Sequence, residues 1–161
     1  IEFGMIGAKV DHSSLHYEKF EEDEIIVIAP SDHPLTRKRS VGFEDLLKEP
    51  WIIREEGSGT QMTVERVLRK KGKSLKDFNV AIEMGSTSSV KEGVKAKLGL
   101  AFISRRAVEE ELNRNLFTSI TLEGLESISR QIYIVSQRGK TVSPAGIEFL
   151  RFLKKKRERT N

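Results

Sequence analysis

Two hydroxyl-rich turns carry the residue types most suited to binding a ligand. Gly57–Thr60 follows the apolar run Trp51–Ile53, Gly85–Ser89 follows Val80–Met84, and each turn precedes a helical pattern. Glycine lets the backbone approach a ligand closely, and the free N–H groups at a helix start attract an anion. Hydroxyl groups can add hydrogen bonds. The alternative is that these serines and threonines only cap helices, as they do in many proteins. Neither turn contains the GK[ST] of a Walker loop or the GxGxxG of a dinucleotide fingerprint.

The remaining reactive residue types form no recognisable catalytic constellation. The sequence has no cysteine, which excludes a disulfide scaffold, a thiolate metal site and a cysteine nucleophile. His12, His16 and His33 all lie in polar, loop-like segments. His12 and His16 have the i, i+4 spacing that grips a metal on a helix, but the residues between them do not favour a helix. We therefore predict no enzyme activity, no metal site and no cofactor.

Composition is typical of a globular protein of one domain or two small lobes. The 161 residues include 37% apolar and 32% charged types, with a net charge of +4. No apolar run approaches the roughly 20 residues that span a bilayer, and the first ten residues lack a signal-peptide pattern, so we expect a cytoplasmic protein. Lys154–Arg159 supplies five cations and one anion. We interpret this run as a solvated helix end and not a DNA contact.

Strand and helix patterns alternate along the chain, which predicts an α/β fold with mainly parallel sheets. The acidic run Glu21–Glu24 is interpreted as solvated. Ser143 and Pro144 are expected to begin the last helix. The predicted strands are Ile1–Ile6, Ile25–Ala29, Trp51–Ile53, Val80–Met84, Gly99–Ile103 and Gln131–Val135. The predicted helices have apolar faces formed by Phe43/Leu46/Leu47, Val64/Val67/Leu68, Val90/Val94/Leu98, Ala107/Val108/Leu112 and Ile147/Phe149/Leu150/Leu153.

A collinear series of segments resembles the effector-binding (substrate-binding) domain of LysR-type bacterial transcription regulators. The sequences of Glu83–Ser86 and Ser104–Val108 are similar to those of the branch of this family that regulates carbon-fixation genes. The matching segments are Phe3–Ile6, Ile25–Pro30, Asp32–Leu35, Phe43–Leu46, Glu49–Ile52, Gly57–Thr60, Gly85–Ser86, Leu98–Ser104, Ser143–Ala145 and Phe149–Leu150.

The resemblance implies a two-lobed fold of the periplasmic-binding-protein-like type 2 class, with two strands crossing between the lobes. Residues 29–130 form effector-binding lobe II, and residues 1–28 with 131–161 form a partial lobe I. The strands near residues 1–6 and 51–53 are expected in separate sheets. Compared with the family, this sequence lacks a winged helix-turn-helix, a linker helix and the first strand–helix–strand of lobe I. It is therefore expected to be N-terminally truncated.

The function implied is effector sensing: a small anionic metabolite, a carboxylate or phosphate ester, binds in the inter-lobe cleft. Cleft closure then acts on a DNA-binding domain outside this chain. The resemblance also implies a homodimer or tetramer that contacts DNA only through that domain. The alternatives are a solute-binding protein and a ligand-binding module of the same fold unrelated to transcription. The predicted effector-binding residues are Ser58, Gly59, Thr60, Gln61, Ser86, Thr87, Ser88, Ser104, Gly7 and Ala8.

Overall fold

Seven strands and five α-helices make up the structure, a computed structural model that describes residues 2–9, 12–125 and 127–158. In these ranges no helix is both long enough and apolar enough to cross a membrane. The strands are β1 (Phe3–Ile6), β2 (Leu15–Pro30), β3 (Pro50–Arg54), β4 (Asn79–Met84), β5 (Leu100–Ser104), β6 (Phe117–Ile120) and β7 (Ile128–Gln137). The α-helices are α1 (Phe43–Leu46), α2 (Gly59–Lys70), α3 (Thr87–Lys95), α4 (Glu109–Asn113) and α5 (Pro144–Glu158), with short 3₁₀ turns at Pro34–Arg37, Leu75–Asp77 and Arg105–Val108.

The chain divides into two compact units, residues 1–22 with 130–161 and residues 23–129. The chain passes from one unit to the other within β2 and again within β7. The lobe boundaries predicted after residues 28 and 130 also lie within these two strands. The predicted boundaries themselves stay a prediction.

In the larger unit, β3 is the centre of a parallel group of strands. It pairs in parallel with β4 on one side and with β5 on the other. β2 runs antiparallel to β5 and to β6. The α/β class is confirmed, and the sheet is mixed because the long strand β2 runs against β5 and β6.

Alternate residues of these strands build two apolar layers, one on each face of the sheet. Trp51 and Phe102 pack with Val64 and Leu68 of α2 in the first layer. Ile52, on the opposite face, belongs to the second layer, with Val90 and Val94 of α3. Side chains of successive strand residues point to opposite faces, so strands covered on both sides are apolar throughout. This explains the continuous apolar runs of β3 and β5.

In the smaller unit, β1 pairs antiparallel with β7, and α5 follows. The predicted cap of α5 is confirmed, since Ser143 Oγ accepts a hydrogen bond from the Gly146 N–H at 3.1 Å. Phe149 stacks on Phe3 with ring centroids 5.8 Å apart. The predicted core face of α5 is wrong in part, because Ile147 and Phe149 are 46% and 49% exposed. Leu150 and Leu153 are partly buried.

Two further sequence predictions are wrong, one about where β2 begins and one about whether β1 and β3 lie in separate sheets. The strand begins at Leu15 rather than near Ile25, so His16 and the acidic run Glu21–Glu24 are strand residues. A strand with one polar face needs no apolar run, which is why its first half was missed. The strand order β1-β7-β2-β5-β3-β4 is one connected hydrogen-bonded path, so β1 and β3 do not lie in separate sheets. β2 is long enough to pair with both sets of strands.

Candidate anion-binding site

The carboxyl ends of β3, β4 and β5 lie at the same edge of the sheet. Arg54, the last residue of β3, is level with Met84, the last residue of β4. β5 is parallel to β3 and ends at Ser104. Ligands of open α/β sheets bind at this edge, where the loops leave the strands. The predicted residues of the larger unit therefore follow three neighbouring strand ends: Ser58–Gln61 after β3, Ser86–Ser88 after β4, and Ser104 at the end of β5.

The first helix start is the turn from β3 into α2. Gly57 has φ of +86°, a left-handed conformation that glycine adopts at little cost. Ser58 is the N-cap residue and is buried, but its side chain makes no capping hydrogen bond. Thr60 is also buried. The first N–H groups of an α-helix have no partner within the helix, and at α2 these belong to the segment that begins at Gly59.

At the second helix start, that of α3, the structure supports the alternative that one hydroxyl residue, Ser86, caps the helix. Ser86 Oγ accepts a hydrogen bond from the Ser89 N–H at 3.0 Å and lies 2.7 Å from Ser89 Oγ. The Ser86 hydroxyl is thus used within the helix, as in an ordinary N-cap. Thr87 is partly buried and Ser88 is exposed.

Arg54, at the end of β3, is hydrogen-bonded to the start of α3 and was absent from the predicted site residues. Its Nη1 donates to Thr87 Oγ1 at 3.1 Å. Its Nε and Nη2 each donate to one carboxylate oxygen of Glu55 at 2.6 Å. The Arg54 side chain is only 17% exposed, whereas that of Glu55 is 38% exposed. The Arg54 hydrogen bond holds the pKa of Glu55 below its ordinary value. The signal in the sequence was the position of this cation, between the strand Trp51–Ile53 and the glycine-containing turn.

A small pocket lies beside Arg54. Its volume is about 10 Å³, which is room for roughly one water molecule. Gln61 Nε2 donates to Glu65 Oε1 at 3.2 Å, while the buried Gln61 Oε1 has no hydrogen-bond partner. The pocket is lined by Ile52, Ile53, Arg54, Thr60, Gln61, Val64, Leu75 and Phe102. This pocket is therefore too small to enclose a metabolite.

Ser104 is hydrogen-bonded within the protein, and its contact with an effector stays a prediction. Its hydroxyl donates to Asp23 Oδ1 at 2.6 Å. Asp23 is buried, so the interpretation of Glu21–Glu24 as wholly solvated is wrong at this residue. A buried carboxylate needs hydrogen-bond donors, and Ser104 supplies one. The Ser104 proton is therefore not free for a ligand in this structure.

Gly7 and Ala8 belong to the smaller unit and follow β1. Both are partly buried. A Cβ at Gly7 would lie 2.8 Å from Arg130 Nη1, so a side chain there would require Arg130 to move. Their contact with an effector stays a prediction.

The three histidines form no common site. His12 lies in a turn with its Nδ1 2.8 Å from Ser14 Oγ, and His16 lies in β2, so the two are not on one helix. His33 Nδ1 accepts from the Leu35 N–H at 3.3 Å and caps a 3₁₀ turn. Among residues 2–9, 12–125 and 127–158, no group of three or more His, Asp or Glu side chains could hold a metal ion.

Polar helix starts at the carboxyl ends of neighbouring parallel strands are typical of small-molecule-binding proteins with open α/β sheets. The protein-family model described as the LysR substrate binding domain matches residues 1–158 of the sequence. The chain therefore belongs to the LysR substrate-binding domain family. The resemblance seen in the sequence is thereby confirmed.

Two relatives are transcriptional regulators by name. The chain is 32% identical over 153 residues to the RuBisCO operon transcriptional regulator of Allochromatium vinosum, covering 95% of this chain and 49% of that protein. It is 39% identical over 131 residues to the HTH-type transcriptional regulator CbbR of Xanthobacter flavus, covering 81% and 38%. The chain thus spans about half or less of the length of these relatives.

A solved structure agrees with this assignment. The regulatory domain of CcmR from Synechocystis PCC6803, in complex with 2-PG, superposes with a TM-score of 0.80 at 26% identity. The match covers 95% of this chain and 72% of that one. The chain is therefore a domain of the effector-binding kind found in LysR-type regulators.

Proposed function

We propose that this chain senses a small anionic metabolite, a carboxylate or phosphate ester, at the starts of α2 and α3. The observation that carries the proposal is the hydrogen bond from Arg54 to Thr87, which places a nearly buried guanidinium at the junction of the two strand ends. A helix start contributes roughly half a positive charge, and two of them near one arginine favour an anion. The 2-PG complex of the CcmR regulatory domain supports a small-molecule ligand for this chain.

The response to binding is proposed to follow from differential affinity. An effector that binds one conformation of the domain more tightly than another shifts the population toward it. In a complete regulator, that shift would act on a DNA-binding domain outside this chain. The placement of the effector in an inter-lobe cleft, its contact with Gly7 and Ala8, and the homodimer or tetramer stay predictions from the resemblance.

Sensing without catalysis is the second part of the proposal. The relatives from Allochromatium vinosum and Xanthobacter flavus are named as transcriptional regulators, which favours regulation over the alternative of a solute-binding protein of the same fold. The polar groups at the strand ends include two helix starts, an arginine and hydroxyls, and the carboxylates of Glu55 and Asp23 are bonded to Arg54 and Ser104. These groups suit the binding of an anion better than they suit proton transfer.

Replacing Thr60 by valine tests the site. Valine keeps the shape of the side chain and deletes the hydroxyl, so affinity for 2-PG or inorganic phosphate should fall by about 1–2 kcal/mol, roughly five- to thirtyfold. Isothermal titration calorimetry at neutral pH measures both ligands. Thr121→Val is the control, because Thr121 is exposed and follows β6 on another part of the unit. Equal affinities for wild type and Thr60→Val would contradict the proposed site.

A further inference from the structure

The pairing of Arg54 with its neighbour Glu55 has a consequence for which anions this site accepts. We infer that Glu55 is a built-in competitor for the Arg54 guanidinium, and that the site selects dianionic groups, such as a phosphate monoester, over monocarboxylates. This inference rests on the proposed function and specifies its ligand class.

The two partners of Arg54 bind different edges of its guanidinium group. Glu55 occupies the Nε–Nη2 edge with two hydrogen bonds of 2.6 Å, the bidentate arrangement by which arginine binds carboxylates and phosphates. Thr87 holds the remaining Nη1. The guanidinium is therefore fixed from two sides, and the edge best suited to an anionic ligand already holds an anion.

Glu55 is the partner that can leave. Its side chain is more than twice as exposed as that of Arg54, 38% against 17%, so its carboxylate can move into water while Arg54 stays in place. An attached competitor acts at a high effective concentration, because it need not diffuse to the site. A free monocarboxylate offers the same chemistry as Glu55 and gains little by replacing it. A phosphate monoester carries nearly two charges at neutral pH and three acceptor oxygens, so it can displace Glu55.

A second feature of the same pocket indicates an incomplete set of partners. Gln61 Oε1 is buried, lines the pocket with Arg54, and has no hydrogen-bond partner. Buried acceptors in native proteins are nearly always satisfied by protein, water or ligand. The pocket has room for about one water molecule, and either that water or a hydroxyl group of a bound ligand would supply the donor.

The test compares Glu55→Gln with Glu56→Gln, which removes the same charge one residue away at an exposed position. Calorimetric titrations at pH 7.5 use inorganic phosphate, 2-PG and acetate as probes on the whole 161-residue chain. Glu55→Gln should tighten phosphate binding about fivefold and bring acetate into the measurable range, whereas Glu56→Gln should change phosphate affinity less than about twofold. Arg54→Gln should weaken phosphate binding more than about tenfold, with a thermal melt to confirm folding.

Equal phosphate affinities for Glu55→Gln and Glu56→Gln would overturn the competitor role. If Thr60→Val still weakened phosphate binding in that case, the proposed site would stand and only this inference would fail. If wild type and Glu55→Gln both bound none of the three probes, the proposed function and the inference would fail together. Binding of phosphate by Glu55→Gln alone would support the inference.

Discussion

Replacing Trp51 by alanine should lower the free energy of unfolding by about 4 kcal/mol, the usual loss for a large aromatic side chain deleted from a core. Trp51 is 0% exposed, and its ring stacks on Phe102 and meets Phe78 edge-on, each at a centroid distance of 4.8 Å. Its Nε1–H donates to the Leu46 carbonyl oxygen at 2.8 Å. Urea unfolding followed by far-UV circular dichroism measures the effect.

Trp51→Phe separates packing from hydrogen bonding in the same test. Phenylalanine keeps much of the ring but removes the indole donor, which leaves the Leu46 carbonyl oxygen with only the Glu49 N–H at 3.2 Å, so the expected loss is about 1 kcal/mol. If Trp51→Ala cost no more than Trp51→Phe, the first apolar layer would not depend on this ring. The packing that holds β3, and with it Arg54, in place would then have to come from other residues.

The second large effect is expected at the ion pair that ties α3 to α4. Lys91 Nζ lies 2.5 Å from Glu111 Oε1 and 3.2 Å from the Ala107 carbonyl oxygen. Glu111 is 8% exposed, and its other oxygen, Oε2, has no hydrogen-bond partner. Replacing Lys91 by methionine leaves a buried carboxylate without its cation. The expected loss at pH 7 is about 2 kcal/mol, below that of a fully buried pair because the Lys91 side chain is 24% exposed.

The loss at Lys91→Met should depend on pH in a defined direction. The hydrogen bond from Lys91 holds the pKa of Glu111 below its ordinary value. The pair therefore stabilises the protein above that ordinary value, about 4.3, and this contribution disappears as the pH falls through the lowered pKa. In the variant, burial without a cation raises the pKa of Glu111, so acid protonates the group and relieves the penalty.

Urea unfolding of wild type and Lys91→Met at pH 7 and pH 4 tests this dependence. The difference in unfolding free energy should at least halve at pH 4. Lys48→Met is the control, because the Lys48 side chain is 75% exposed and its partner Asp45 keeps a second cation, Lys38, so this variant should show little change at either pH. A difference between wild type and Lys91→Met that is the same at both pH values would contradict the assigned role of Glu111.

The apolar strands could be predicted from the sequence because burial on both faces leaves a continuous run. Ile25–Ala29 and Gly99–Ile103 lie within or overlap β2 and β5 for this reason. The first half of β2 was missed because its exposed face is charged. β6, Phe117–Ile120, was missed because it has four residues and a polar centre. The face of α5 was misjudged because helical spacing shows which residues share a side and not whether another element covers it.

The helix starts of the site were predictable, whereas the charges around them were not. Glycine and hydroxyl residues after a strand mark a helix N-terminus locally, and both Ser58 and Ser86 are N-cap residues in the structure. The Arg54–Thr87 and Ser104–Asp23 hydrogen bonds join residues 33 and 81 positions apart. Such pairs depend on which strands are neighbours and on their register, which a single sequence does not display.

Binding of an anion at the starts of α2 and α3 is tested most directly by amide NMR. A ¹H–¹⁵N titration of the chain with 2-PG and with inorganic phosphate follows each backbone N–H. The largest saturable shifts are expected at Gly59–Gln61 and at Thr87 and Ser88, together with the side-chain Nε–H of Arg54. Saturable shifts confined to other residues, or no saturable shift at these amides with either ligand, would contradict the proposed site.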